Sequence, residues 1–201
     1  MKPDRTANAE RTTRETSIRA EVTVDGSGRT EIRTGVGFLD HLLESLARHA
    51  RLDLTVEARG DLQVDDHHTA EDCALTLGEA LDRALGERRG IARFGWAYAP
   101  LDESLARAVV DLSGRAYADV SLGLRRESIG GLSCENVPHV LRSLATAARL
   151  TLHVEVIKGA NDHHRAEAAF KAVALALRQA VQITPFDDVP STKGTLGKPR
   201  E

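Results

Sequence analysis

The feature that most restricts how this chain can fold is an internal duplication. Residues 41–57 (HLLESLARHARLDLTVE) align without a gap on residues 139–155 (HVLRSLATAARLTLHVE), and eleven of the seventeen positions are identical. Among them are His41/His139, Ser45/Ser143, Leu46/Leu144, Arg51/Arg149, Leu54/Leu152 and Glu57/Glu155. After a two-residue contraction, His67 and His68 fall on His163 and His164, and Glu71 falls on Glu167. Asp25-Gly-Ser-Gly-Arg29 is echoed by Asp111-Leu-Ser-Gly-Arg115. Two copies of one supersecondary unit must bury their apolar faces on each other, so a pseudo-symmetric pair is expected.

The unit itself is legible from its periodicity. Residues 17–24 alternate apolar and polar side chains, as a half-buried strand does. Asp25-Gly26-Ser27-Gly28 is a turn, with residues 29–33 as the expected hairpin partner. Phe38, Leu39, Leu42, Leu43, Leu46 and Ala50 recur at helical spacing and predict a helix over 38–50. Leu52, Leu54 and Val56 return to alternation, a strand ending near Gly60. Asp65 or Asp66 suits the N-cap of a second helix. That helix carries Ala70, Ala74, Leu77, Leu81 and Ala84 on one face and ends near Gly86. The second half adds strands at 93–99, 104–112 and 115–122, a loop at 125–135, and then the repeated helix–strand–helix.

The expected class is therefore α+β: two duplicated half-domains, each a small sheet plus two helices, packed as a pseudo-symmetric two-layer sandwich. Residues 1–10 are polar and are expected to be a disordered arm. One domain spans 11–196, with repeats at about 11–90 and 91–183 and a C-terminal loop at 184–196. Residues 197–201 are a tail.

Composition excludes several functions. Aromatics make up 3% of the chain, too few for a base-stacking surface, and a net charge of −3 provides no global basic field. No nucleic-acid or membrane partner is expected. The two cysteines, Cys73 and Cys134, are not a Cys-x-x-Cys pair and suggest a reduced, cytoplasmic setting. No apolar run approaches transmembrane length, and the first sixteen residues lack the apolar core of a secretory signal.

The duplicated His-His-x-x-Glu carries the chemistry. Imidazole and carboxylate together suit borderline divalent ions such as Mn, Fe, Co, Ni or Zn. On a helix of about 3.6 residues per turn, His67 and Glu71 share a face, whereas His68 points about 100° away. Each histidine of a pair is therefore expected to serve a different ion. With His41 and His139 the tally is six histidines and two glutamates: two sites of three His and one Glu, drawing on both repeats or on neighbouring subunits. Asp65, Asp66 and Asp162 are expected as helix caps. His49 and His153, which have no repeat counterpart, are expected as hydrogen-bonded core residues. Arg29, Arg51 and Arg149 are expected to be structural or solvated. A di-metal hydrolase and a metal-storage shell are the alternatives.

These motifs resemble one family. Phe38-Leu39-Asp40-His41, Asp65-Asp66-His67-His68-Thr69-Ala70-Glu71-Asp72, Ala92-Arg93-Phe94-Gly95, Asp111-Leu-Ser-Gly-Arg115, Asp162-His163-His164-x-x-Glu167 and Pro190-Ser-Thr-Lys-Gly194 are similar, in order and spacing, to imidazoleglycerol-phosphate dehydratases. The resemblance runs from about Arg11 to Leu196. It implies a manganese-dependent lyase with two Mn2+ per active site, acting on a phosphorylated imidazole. It also implies assembly into a 24-subunit particle with shared active sites. The implied metal ligands are His41, His67, His68, Glu71, His139, His163, His164 and Glu167. The implied substrate contacts are Glu15, Arg93, Arg115, Ser191 and Lys193, with Glu15, Glu71 and Glu167 as the carboxylates for proton transfer. Residues 184–189 are shorter than in many relatives. No phosphatase domain accompanies the motifs, so the dehydratase step alone is expected.

Overall fold

The computed structural model describes residues 5–196. Its elements run β1 Thr6–Thr12, β2 Thr16–Thr23, β3 Thr30–Arg33, α1 Gly37–Ala50, β4 Asp53–Gly60 and α2 His67–Leu85 in the first half. The second half is β5 Phe94–Leu101, β6 Ser104–Asp111, β7 Tyr117–Ser121, β8 Ser128–Ile129, β9 Leu132–Ser133, α3 Asn136–Ala147, β10 Thr151–Lys158 and α4 Asp162–Ala180. The two four-stranded sheets have the same order, β1-β2-β4-β3 and β5-β6-β10-β7. In each, the last strand pairs antiparallel with the second and parallel with the third. The α+β class and the duplicated halves are as expected.

Each sheet buries one face under helices. α2 lies along β1 and β2, and α4 lies along β5 and β6. The halves then join helix to helix across the repeat boundary: α1 packs on α4, and α2 on α3. The helix stripes that predicted α1 are the buried ones, Phe38, Leu39, Leu42, Leu43, Leu46 and Ala50. A core this short of aromatics is filled by Leu, Val and Ala, with Phe170 its one fully buried ring.

Three expectations are corrected. First, β3 is not the hairpin partner of β2; it runs parallel to β4. A parallel neighbour needs a crossover, which α1 supplies. The turn before β3 is held by Asp53 at the head of β4, whose Oδ1 accepts from the backbone N–H groups of Ser27, Gly28 and Arg29 at 2.7, 3.0 and 2.9 Å. Second, residues 1–4 of the expected arm lie outside the described residues, but from Thr6 the chain is strand β1, paired with β2 from Thr6↔Thr23 to Thr12↔Ser17. Its strand period is masked because Ala9 is its one buried side chain. Arg5 pins its start, donating to both Asp25 carboxylate oxygens (2.8 and 2.6 Å) and to the Val181 carbonyl (2.8 Å). Third, the 125–135 loop contains the small β8–β9 hairpin. Gly130 and Gly131 take φ of 53° and 80° there, values natural for glycine in a tight hairpin turn.

Arg51 and Arg149, identical in the two repeats, are structural as expected. Each turns the chain from helix to strand with φ of 62° and 53°. Each guanidinium then reaches a carbonyl of the matching Ser-Gly turn, Ser27 at 3.3 Å and Gly114 at 3.4 Å. Arg88 is buried at the end of α2. It donates to Asp82 and to the carbonyls of Ala148 and Arg149, tying α2 to the α3–β10 turn.

The α2–α3 contact has no room to spare. A Cβ on Gly78 would lie 2.6 Å from the Leu144 carbonyl oxygen and 2.7 Å from Ala147 Cβ. Helix propensity alone favours alanine there by about 1 kcal/mol. Overpacking against backbone costs about 1–3 kcal/mol. Gly78→Ala is therefore expected to lower the urea midpoint; a raised midpoint would show that the helices can separate freely.

Candidate metal centre

The helix pairs place the ligands. Gly78, well inside α2, packs against the C-terminal turn of α3, while His67 and Glu71 in the first turns of α2 meet His139 in the first turn of α3. Paired helices thus run in the same direction, and their N-termini coincide. The same holds for His41 on α1 with His163 and Glu167 on α4.

Two triads result. In one, His41 Nε2 and His163 Nε2 lie 3.2 and 3.3 Å from Glu167 Oε2. In the other, His139 Nε2 lies 3.0 Å from Glu71 Oε1, and the His67 and His139 rings stack at 4.9 Å. Within each triad the donor atoms are all within 4.8 Å of one another. Two donors each about 2.1 Å from an ion, at right angles, sit about 3 Å apart. Three histidine–glutamate edges, at 3.2, 3.3 and 3.0 Å, match that, and the two-imidazole-plus-carboxylate set suits a borderline divalent ion. Each triad takes members from both repeats.

His68 and His164 belong to neither triad. Their rings stand at 75° and 90° to those of His67 and His163. His68 Nδ1 is 3.0 Å from Asp61 Oδ2, and His164 Nδ1 is 2.7 Å from Glu103 Oε2. The expected divergence of adjacent histidines is present: each triad gathers three candidate ligands from one chain, and His68 falls instead in a third cluster with Glu15 and Asp61.

The expected caps divide their work. Asp65 accepts from the His67 N–H at 2.8 Å, and Asn161 does the same for His163 at 2.9 Å. Asp66 and Asp162 instead hold the segment between β7 and α3. Asp66 accepts from Ser133 N–H and Oγ and from Asn136, and Asp162 from the N–H groups of Arg125 and Arg126. Asn136 passes this order on, its Oδ1 lying 2.9 Å from His67 Nδ1. Asn136, Asp61, Glu103 and Lys171 escaped sequence reasoning. Only Lys171 had a signal, its position four residues after Glu167 on the same helix face.

The substrate-binding candidates lie elsewhere. Glu15, beside β2, is 3.8 Å from His68 and so stands near the helix N-termini. Arg93 is at the opposite end: its N–H donates to Ala180 O, the last residue of α4. From His163 to Ala180 a helix rising about 1.5 Å per residue spans roughly 25 Å. The Arg93 guanidinium donates to both Asp111 oxygens (2.7 and 3.0 Å) and to the Pro190 carbonyl (2.6 Å). An arginine has five N–H donors, so two remain for an anion. Pro190 leads into the turn of Ser191 and Lys193, where Ser191 Oγ accepts the Lys193 N–H at 3.2 Å. Exposed Arg115 follows Ser113, whose Oγ accepts its N–H at 3.2 Å.

His153 is exposed on β10, its ring 5.4 Å from Tyr117, because strand alternation turns Leu152 and Val154 inward. The expectation of a core histidine is corrected there. Burial pushes the Cys73 thiol up to about 12, which disfavours the thiolate.

The fold and site together define a class: a duplicated α+β domain in which paired helix N-termini from the two repeats assemble histidine–carboxylate triads. The family model for imidazoleglycerol-phosphate dehydratase matches residues 34–177. The dehydratase of Phaffia rhodozyma is 54% identical over 199 residues, covering 96% of this chain and 97% of that protein. That of Phytophthora nicotianae is 57% identical over 192 residues; the match covers 96% of this chain and 42% of that longer protein. The crystal structure of the Staphylococcus aureus dehydratase superposes with a TM-score of 0.80 at 37% identity, covering 89% of this chain and 99% of that one. The chain belongs to the imidazoleglycerol-phosphate dehydratase family. Among the described residues, no helix is long and apolar enough to cross a membrane.

The Glu167 environment makes a pH prediction. Burial alone would raise its carboxyl, but hydrogen bonds from Lys171 (Nζ at 2.8 Å) and His41 hold it down to about 2. A carboxyl depressed below its ordinary value of about 4.3 contributes stability that is present above that value and lost as pH falls towards the folded one. Lys171→Met removes the strongest donor. The metal-free variant is expected to be less stable than wild type at pH 7, with the gap closing between about pH 4 and pH 2. Urea unfolding across that range measures it; a gap independent of pH would contradict the assignment.

Proposed function

We propose that this chain catalyses the metal-dependent dehydration of D-erythro-imidazole-glycerol phosphate to imidazole-acetol phosphate and water, a hydro-lyase step in histidine biosynthesis. The observation that carries this is the pair of triads, His41/His163/Glu167 and His67/Glu71/His139, in a member of this family.

The hydrogen to be lost is not beside a carbonyl, so the substrate's own imidazole must be the electron sink. Two Mn2+ ions, or other divalent transition metals, would supply Lewis-acid stabilisation of the imidazolate ring and a template for its nitrogens. His41, His163 and Glu167 would hold one ion and His67, Glu71 and His139 the other. His68 and His164 would supply the fourth ligand of each centre on a neighbouring copy. Ring electrons expel the hydroxyl on the adjoining carbon. Loss of the neighbouring C–H proton gives an enol, which tautomerises to the ketone. With Glu71 and Glu167 committed to the triads, Glu15 is the carboxylate left to move these protons. Arg93, Arg115, Ser191 and Lys193 would hold the phosphate, the arginines through paired N–H donors. The roughly 25 Å between the Arg93 end and the triad end of one chain favours active sites completed between copies. A homo-oligomer follows, of 24 subunits if it matches the particle that the resemblance implies.

Incubation with imidazole-glycerol phosphate and MnCl2, read by mass spectrometry, is expected to show loss of one water with the phosphate ester intact. Free inorganic phosphate as the product would indicate a hydrolase instead. Chelation should abolish turnover and MnCl2 restore it. Arg115→Ala and Lys193→Ala should raise KM by about tenfold or more with kcat changed less, as expected for lost phosphate contacts. The opposite split would place them in the chemical step.

A further inference from the structure

The strand pairs β1–β2 and β5–β6 are in the same register: Thr12 faces Ser17 in one, and Pro100 faces Leu105 in the other. Arg5 and Arg93 are structural counterparts in these pairs, each chelating an aspartate, Asp25 or Asp111. The residue just before the second strand is Glu15 in one copy and Glu103 in the other. Their histidine neighbours, His68 and His164, are likewise counterparts, yet the contacts differ. Glu103 is hydrogen-bonded to His164 Nδ1 at 2.7 Å, whereas exposed Asp102 stands 3.8 Å from Nε2, beyond hydrogen-bond distance. Glu15 stands 3.8 Å from His68, and Asp61 occupies the position against its Nδ1 at 3.0 Å.

We propose that Glu103 and Asp61 are positioning residues that hold His164 and His68 as Nδ1–H tautomers with Nε2 free to ligate metal, and that Asp61 thereby releases Glu15, the repeat counterpart of Glu103, for the substrate. This rests on the metal-dependent reading above. A ring whose Nδ1–H is donated to a carboxylate presents its Nε2 lone pair, the arrangement that orients metal-bound histidines generally.

The two carboxylates differ in what else holds them. Glu103 Oε1 accepts from the N–H groups of Ala160 and Asn161 at 3.0 and 2.9 Å and from Ser104 Oγ at 3.1 Å. Asp61 Oδ1 is buried with no hydrogen-bond partner among the described residues. In Glu103→Gln, the amide oxygen stays with those three donors and its NH2 must face His164 Nδ1. Nδ1 then has to accept, the proton moves to Nε2, and the ligating lone pair is lost. In Asp61→Asn no donor holds the amide oxygen away from His68; turning it to Nδ1 leaves the NH2 in the buried position that Oδ1 already occupies without a partner, a loss of stability rather than of the tautomer.

The test titrates dialysed protein with MnCl2 and reads free Mn(II) by electron paramagnetic resonance. Glu103→Gln, with thermal stability close to wild type, is expected to weaken one class of sites about 10–100-fold. Asp61→Asn is expected to stay within about threefold. In a His164→Asn background, Glu103→Gln should add nothing, because it acts through that ring. Unchanged Mn(II) binding by Glu103→Gln, equal weakening by Asp61→Asn, or a full effect in the His164→Asn background would each overturn the proposal. Should Glu103→Gln not fold, 15N spectra of histidine-labelled, metal-free wild type at pH 9 decide instead. His164 protonated at Nδ1 supports the proposal and at Nε2 sinks it. Failure of wild type to bind Mn(II) at all would count against the metal reading rather than this one.

Discussion

Everything at the site depends on helices from different repeats packing side by side in the same direction. Had α3 run the other way about its own midpoint, His139 would shift about 8 Å along the axis, out of reach of Glu71. Because they run together, both first turns open at one end, and a motif that sits at the start of every second helix becomes a centre. The same rule joins α1 to α4. Gly78 shows how closely the pairing is set, with its Cα hydrogens against the Leu144 carbonyl and Ala147. Neither repeat alone contains a complete triad.

Gathering helix N-termini around cations is electrostatically adverse, since each end carries about half a positive charge. The chain answers with carboxylates. Glu71 and Glu167 lie inside the triads, Asp65 caps α2 directly, and Asp61 and Glu103 back the two outlying histidines. Asp66 and Asp162 reach from the same helix starts to opposite ends of the segment between β7 and α3. Asn136, which opens α3 directly after that segment, faces His67. The stretch leading into α3 is thus anchored by the starts of the two helices that carry the His-His pairs.

Helices and most strands were legible because their burial is periodic: α1, β4, β6 and α2 present in the structure the faces their sequences display. The eight candidate ligands stood out because duplication made coincidence untenable, and the structure gathers six of them into the two triads; the divergence of His67 from His68 followed from helix geometry. What was not legible was set by contacts between distant residues. β1 has one buried side chain and so no readable period; its order comes from β2 and from the Arg5–Asp25 pair. The parallel placement of β3 depends on α1 crossing over, which a turn motif cannot reveal. Asp61 and Glu103 were invisible because the two repeats meet one need from different positions, so no alignment pairs them.

Duplication also explains how one fold supports unlike ends. The Arg5–Asp25 pair is a structural anchor, its arginine buried and its third contact to Val181 at the end of α4. The equivalent Arg93–Asp111 pair takes its third contact from Pro190, beside Ser191 and Lys193, and its guanidinium lies 4.6 Å from the Phe94 ring. One geometry serves to close the sheet in the first copy and to seat the C-terminal loop in the second. Since this loop lies at the C-terminal end of α4 and the triads at its N-terminal end, the proposed metal-holding and anion-holding groups stand at opposite ends of one helix axis. A substrate far shorter than α4 can meet both only where the metal end of one molecule adjoins the loop end of another. On the proposed function, assembly is then a geometric requirement of the division between repeats.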